Sequence, residues 1–195
     1  MLEEEYQATH RPVEAERNLP PLTVPFEYLI RDATAADLPY VREIYNHYVM
    51  NSTVTFDEKA MSLTELRRKF AHITKLGMPF LVAESPSGQL LGYAYVSPWR
   101  EKAAYRYTVE DSIYLGPAST GKGLGRPLLQ ALLDASAAAG IKEVISVIAD
   151  KGADASIHLH ETFGFKEIGH MGKVGFKFDR WLGTVLMQKS LKPKK

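Results

Sequence analysis

The chain has 195 residues, of which 45% are hydrophobic and 24% charged, and its 24 Lys+Arg nearly balance 23 Asp+Glu. That is enough for one domain with a sizeable core, and it leaves no net field to recruit nucleic acid or an anionic membrane. There are no cysteines, which excludes a disulfide framework, a thiolate metal site and a cysteine nucleophile.

Residues 1–25 carry Pro12, Pro20, Pro21 and Pro25 without any apolar periodicity, so a loosely ordered extension is expected there. They have neither the basic nor the apolar region of a secretory signal, and no apolar run reaches membrane-spanning length. A cytoplasmic protein is the expectation. "EYLIR" then reads as a strand. "TAADLPYVREIYNHYVM" reads as a helix with Thr34 as its N-cap and Leu38, Val41, Ile44, Tyr45 and Tyr48 on one face. A second helix begins at "SLTEL", where Ser62 and Glu65 have capping-box spacing. "FLVAES" and "LLGYAYVSPW" flank the turn sequence "PSGQ" and predict a hairpin. "YRYTVEDSIYL" is a strand rich in aromatic and β-branched residues. Beyond a Gly-rich loop, "LGRPLLQALLDASAAAG" is a helix stopped by Gly140. "EVISVIA" is continuously apolar, as a strand buried on both faces must be. "DASIHLHETFGF" predicts a short helix, and strands through "FKEIGHMG" and "TVLMQKSL" close the chain. This order predicts one α+β domain around a mixed sheet.

The loop in "YLGPASTGKGLGRPLL" invites a chemical reading. Gly116, Gly121 and Lys122 match the start of a triphosphate-binding loop, but Gly123 stands where a Ser or Thr would ligate Mg²⁺. Strand, Gly-rich turn and helix N-terminus still bring amide N–H groups and a helix dipole to bear on an anion. Alternating Gly121, Gly123 and Gly125 let a ligand approach the backbone, and a metal-free pyrophosphate suits them better than ATP. The alternative is a plain turn before a helix.

On these residues the chain resembles the GNAT superfamily of acetyl-CoA-dependent N-acetyltransferases, which carry Q/R-x-x-G-x-G/A between a central strand and the next helix. Gly123 and Gly125 fit, with Thr120 where Gln or Arg is usual. "ASIHLHETFGF" resembles the second CoA-contacting motif, with Ala153 for Asn and His160 for Tyr. "YNHYVMNSTVTFDE", "GYAYVSPWREKAAYRYTVEDSIYL" and "SIHLHETFGF" look like the phosphinothricin and methionine-sulfoximine branch, over roughly residues 30–191. The resemblance implies the GNAT fold, a mixed, mostly antiparallel sheet flanked by helices in α/β/α layers. The domain would span 26–191, with a basic tail at 192–195. It also implies acetyl-CoA as co-substrate, no metal, a small amino-acid acceptor, a homodimer, and neither nucleic-acid nor membrane partners.

Amide formation needs a neutral amine, so a base must take the ammonium proton. The T-V-E position implies Glu110 as that base, on a strand face shared by alternation with Thr108 and Ser112; an outward strand carboxylate is the alternative. His160 is implied as a second base or a donor to the departing thiolate, against a packed histidine; His158 falls on another helical face and is expected to be structural. CoA is expected to meet Ile113, Tyr114 and Leu115, then Gly121, Lys122, Gly123, Leu124, Gly125 and Arg126, then Ser156 and Phe163. Backbone N–H groups of "SIYL" are expected to polarise the thioester carbonyl. The resemblance implies that the acceptor meets Phe56, Glu110, Asp111 and Ser112, with Arg100, Lys102 and Arg106 supplying cations for a carboxylate or phosphinate. The alternatives are core packing for Phe56 and plain surface charge for the cations, the safer reading for Lys102. Three functional readings follow: a small-molecule N-acetyltransferase, a peptide acetyltransferase on the same fold, and a non-catalytic CoA-binding module in which Thr120 and Ala153 mark a decaying site.

Overall fold

A computed structural model describes residues 26–191; the expected extension and tail lie outside the described residues. The strands are β1 (Leu29–Asp32), β2 (Phe80–Glu84), β3 (Leu90–Pro98), β4 (Thr108–Leu115), β5 (Glu143–Ala149), β6 (Lys166–Lys177) and β7 (Arg180–Ser190). The helices are α1 (Leu38–Asn51), α2 (Leu63–Lys75), α3 (Gly125–Ala138) and α4 (Asp154–Thr162). They follow the predicted order, and the strands form one sheet, β1-β2-β3-β4-β5-β7-β6. Every neighbouring pair is antiparallel except β4 with β5.

Strand alternation sorts the core into two layers. Phe80, Val82, Tyr93 and Tyr95 pack under Leu38, Val41 and Ile44 of α1 and Leu66 and Ile73 of α2. Leu81, Ala94, Val96 and Val109 face the other way, against Leu128, Leu129, Leu132 and Leu133 of α3. Covering both faces explains why β2, β3 and β5 are nearly unbroken apolar runs. The α/β/α layering is therefore as expected.

Local signals explain most boundaries. Ser62 and Glu65 form the capping box, with Ser62 N–H donating to Glu65 Oε2 at 2.8 Å and Glu65 N–H to Ser62 Oγ at 3.2 Å. Gly140, at φ +85°, ends α3, and Ile141 N–H then reaches back to Ser136 O at 3.1 Å. Thr34, however, is not the N-cap of α1. The helix begins a turn later, after Asp37, whose carboxylate accepts from Thr34 N–H at 2.7 Å and pairs twice with Arg31, at 2.8 Å each. That guanidinium holds the Asp37 carboxyl down at about 2, and an acid so engaged fixes the turn instead of letting Thr34 cap.

Two other boundaries move. Ala103–Tyr105 form a 3-10 turn, so β4 starts at Thr108 and not at Tyr105. Strands β6 and β7 run well past their predicted limits and meet in a two-residue turn, Phe178–Asp179, with both residues at positive φ. Their outer halves point apolar residues outward, which hides the usual alternation. Leu129→Ala, at a fully buried position of α3, is expected to lower the unfolding free energy by about 2–5 kcal/mol, as read from urea denaturation.

Candidate active site

Strands β4 and β5 pair over only three positions, Thr108, Val109 and Glu110 against Glu143, Val144 and Ile145. Beyond them the strands part, and a cavity of about 720 Å³ fills the opening, lined by Ser112 to Leu115 on one side and Ser146 to Ala149 on the other. Glu110 is the last paired residue, at the apex.

The backbone of β4 is open along this wedge. Trp99 N–H bonds Thr108 O and Gly116 N–H bonds Leu91 O, so even-numbered positions of β4 bond to β3. Antiparallel alternation then turns the N–H and C=O groups of Ile113 and Leu115 toward the gap. The expected source of donors in "SIYL" thus faces the cavity, and Tyr48 Oη already occupies Leu115 O at 2.7 Å.

Side chains of Glu110 and Ser112 lie on the α1/α2 face with Tyr95, which pairs with Ser112 in register. Burial pushes the Glu110 carboxyl up from 4.5, and the neighbouring Asp111 charge adds to this, while Lys69 and Arg100 pull it back in part. The lysine that lines the cavity is Lys69 of α2. It donates to Tyr95 Oη at 2.5 Å and sits 4.5 Å from that ring's centre. Tyr45 Oη shares a hydrogen bond with Thr55 Oγ1 at 3.1 Å and donates to Asp57, closing the wall that also holds Phe56.

Asp111 turns to the opposite face of β4 and is buried there, lining the cavity from its other side. Ser146 Oγ donates to its Oδ1 at 2.5 Å, and His160 Nε2 lies 2.9 Å from its Oδ2. His160 is 2% exposed. Its Nδ1 lies 2.7 Å from Ser156 O, a group that only accepts, so Nδ1 carries a proton. Burial alone would depress the His160 pKa, but the hydrogen bond and charge of Asp111, helped by Ser156 O, outweigh it and raise the pKa above 6.5. The His160–Asp111 pair lies at the cavity floor, with each ring nitrogen of His160 facing an oxygen. His158 does lie on another face, but it is exposed beside Glu161 and is not packed.

The expected cationic loop sits elsewhere. Arg100 stacks on Trp99 at 4.1 Å, Arg106 lies over Tyr107 at 4.6 Å, and with Lys102 they stand exposed outside the cavity. An exposed turn places such side chains by stacking, which strand alternation cannot foretell.

The Gly-rich loop leads from β4 to α3. Gly121 and Gly123 adopt φ +73° and +81° with open space where a Cβ would stand, so backbone conformation, not crowding, demands glycine. Thr120 Oγ1 bonds Pro117 O at 2.9 Å and is spent on the turn. Gly125 opens α3 close to Leu159, and both line the cavity with Thr120 and Ser156. Leu124, expected near the donor, has its side chain wholly in the core with Ala83 and Leu91, so only its backbone remains available. Lys122 lies 5.2 Å from the Phe26 ring centre. Arg126 lies 5.5 Å from that of Phe163, and both line a separate groove of about 500 Å³ with Lys189. Among the described residues, no group of three or more His, Asp or Glu could hold a metal.

Residues 30–186 match the family model described as an acetyltransferase (GNAT) domain. The chain belongs to the GNAT acetyltransferase family. Among its relatives, the phosphinothricin N-acetyltransferase of Alcaligenes faecalis is 43% identical over 155 residues, covering 80% of this chain and 78% of that one. The L-methionine sulfoximine/L-methionine sulfone acetyltransferase of Pseudomonas aeruginosa is 42% identical, covering 84% and 95%. The crystal structure of a GNAT superfamily phosphinothricin acetyltransferase from Sinorhizobium meliloti, in complex with AcCoA, superposes with a TM-score of 0.80 at 43% identity, covering 86% and 94%. The fold is the GNAT fold, and the chain is an acetyl-transferring enzyme.

In this GNAT chain the Asp111–His160 pair makes two checks possible. Asp111→Ala leaves the buried His160 Nε2 and Ser146 Oγ without their shared partner and is expected to cost about 1–3 kcal/mol. Because the folded His160 pKa lies above its unfolded value, its stabilisation is complete below about 6.5 and is lost as pH rises through the folded value. Urea midpoints of the wild type should fall across that rise, and His160→Gln should flatten the fall.

Proposed function

We propose that the protein transfers the acetyl group of acetyl-CoA to the amino group of a small amino-acid-like acceptor, of the phosphinothricin, methionine sulfoximine or methionine sulfone type. The observation that carries this reading is the half-buried Glu110 at the apex of the wedge, between open β4 amides and the Lys69 ammonium. The relatives' named substrates support the acceptor class.

The pyrophosphate of acetyl-CoA rests on the amides around Gly121, Gly123 and the start of α3, where the helix dipole favours it. The pantetheine arm runs along the gap side of Ile113 and Leu115 and brings the thioester to Glu110. The acceptor enters from the Phe56 and Lys69 side, its acidic group near the ammonium. Glu110 takes one proton from the ammonium, directly or through a water, and the neutral amine attacks the thioester carbon. Backbone N–H of β4 stabilises the oxyanion, and as the C–S bond breaks the second amine proton passes to the departing sulfur, directly or through water, so that the amide and the CoA thiol are released. His160, with both nitrogens engaged, holds Asp111 and through it the strand; it is a positioning residue in this reading. Arg100 contributes long-range charge to Glu110, and Lys102 and Arg106 lie at the rim.

We also propose a homodimer, assembled on the outer half of the β6–β7 hairpin. Val174, Phe176, Phe178 and Trp181 are about half exposed, and Phe176 packs on Trp181 with ring centres 5.4 Å apart. So many large apolar side chains on one ribbon mark an association surface. Residence in the cytoplasm, where acetyl-CoA is supplied, completes the reading.

Glu110→Gln is expected to lower kcat about 10²–10⁴-fold at neutral pH while leaving acetyl-CoA affinity within about twofold. Thiol release with methionine sulfone and an N-terminal peptide as acceptors measures this; turnover on the peptide alone would reject the acceptor class. The raised Glu110 pKa places the acidic limb of kcat/KM above 4.5. Phe176→Glu combined with Trp181→Glu is expected to halve the mass found by light scattering, and a wild type already of single-chain mass would rule out the dimer.

A further inference from the structure

The end of β6 carries two inward positions that the mechanism does not use. Val174, Phe176 and Phe178 point outward, so alternation turns Gly175 and Lys177 toward the loop joining α1 and α2. Lys177 is 2% exposed, an unusual place for an ammonium. Its Nζ donates to Ser52 O at 2.9 Å and to Thr55 O at 2.8 Å. Gly175 meets the next residue of the same loop: a Cβ built there would stand 2.4 Å from Phe56 Cδ2, so the ring lies directly on the strand backbone. The loop is tied at its start as well, by Ser52 Oγ to Tyr48 O at 2.9 Å and Thr53 Oγ1 to Lys151 O at 3.2 Å. Between these ties it delivers Thr55, Phe56 and Asp57 to the cavity wall, whereas Gly175 and Lys177 do not line the cavity themselves.

We propose that Lys177 and Gly175 are positioning residues for the acceptor: one latches the carbonyls of the 52–57 loop, the other seats Phe56, and together they set the wall the acceptor meets. The proposal rests on the reading of this cavity as the acceptor site. Two carbonyls that lose a buried donor must find water or shift, and a shift of this loop moves Phe56 and Thr55 together. The CoA side is built from β4, the Gly-rich loop and α3, whereas Lys177 bonds Ser52 and Thr55, and Gly175 meets Phe56, all in the 52–57 loop. An acceptor-specific defect therefore distinguishes positioning from general stabilisation. Burial lowers the Lys177 pKa from 10.5, and the charges of Asp57 and Glu58 offset part of that fall.

Lys177→Met is expected to raise the KM for methionine sulfone roughly 10-fold or more, as the loss of two buried hydrogen bonds implies, with the KM for acetyl-CoA within about twofold. Lys177→Arg, which keeps donors for both carbonyls, should restore most of it. Amide hydrogen exchange of the 52–57 segment should quicken in Lys177→Met, with the 116–125 loop unchanged. Gly175→Ala should raise the acceptor KM, and adding Phe56→Leu should relieve the overlap, giving a non-additive cycle. If Lys177→Met does not fold, the Gly175 and Phe56 cycle decides alone. Unchanged exchange at 52–57, equal rises in both KM values, a fall in Tm without a kinetic change, or an additive cycle would each overturn the proposal. If the wild type turns over no amino acid yet the latch variants still loosen 52–57, the acceptor reading fails and the mechanical link stands.

Discussion

Everything in this molecule that bears on chemistry follows from how soon β4 and β5 stop pairing. Their three-residue parallel ladder ends at Glu110 and Ile145, and what lies beyond is a strand with backbone groups pointing into a gap. Buried backbone groups left without partners are costly, so a fold tolerates such a gap only where something else spans or fills it. Here Ser146 Oγ reaches across to Asp111 at 2.5 Å, and His160 supports the same carboxylate from α4. Side chains thus brace the opening at its floor, and the groups further along β4 remain for a ligand.

The opposite wall is stiff for a different reason. Phe80 stacks on Tyr95 at 4.9 Å, and Tyr93 stacks on Tyr114 at 5.4 Å, so an aromatic ladder crosses β2, β3 and β4 beneath α1 and α2. Tyr45 and Tyr48 press on Tyr114 from α1 and bring hydroxyls to the cavity edge. Glu110 lies between that ladder and the buried Asp111–His160 pair. Its affinity for a proton is raised mainly by burial, then by the Asp111 charge, and is trimmed by Lys69 and Arg100.

Much of this was legible before any coordinates. The capping box at Ser62, the stop at Gly140, the hairpin around "PSGQ" and the doubly buried β5 all act through near neighbours, and local patterns report local physics. Thr34 misled because Arg31, on β1, engages Asp37, and the partner that decides the helix start is not itself a helix residue. The reach of β6 was hidden because Val174, Phe176 and Phe178 face outward and glycines interrupt the pattern. Glu110 and Ser112 followed from alternation plus resemblance, and Phe56 from resemblance alone. Lys69 carries a signal of its own: its spacing puts it on the inward stripe of α2 with Leu66, Phe70 and Ile73, where a lysine is out of place unless something acidic awaits it. The arginines of 100–106 had the right charge but lie on an exposed turn whose direction only stacking on Trp99 and Tyr107 decides.

Glu110 and Asp111 are consecutive carboxylates sent to opposite sides of one strand, and only one of them has partners in the protein interior. A slip of β4 by a single residue would exchange them, setting Glu110 on the side of His160 and Ser146 and Asp111 on the α1/α2 side, and would turn Val109 and Ile113 to the opposite face. The buried ion pair therefore works as a registration mark. It specifies which of two chemically similar residues lies on the α1/α2 side of the cavity.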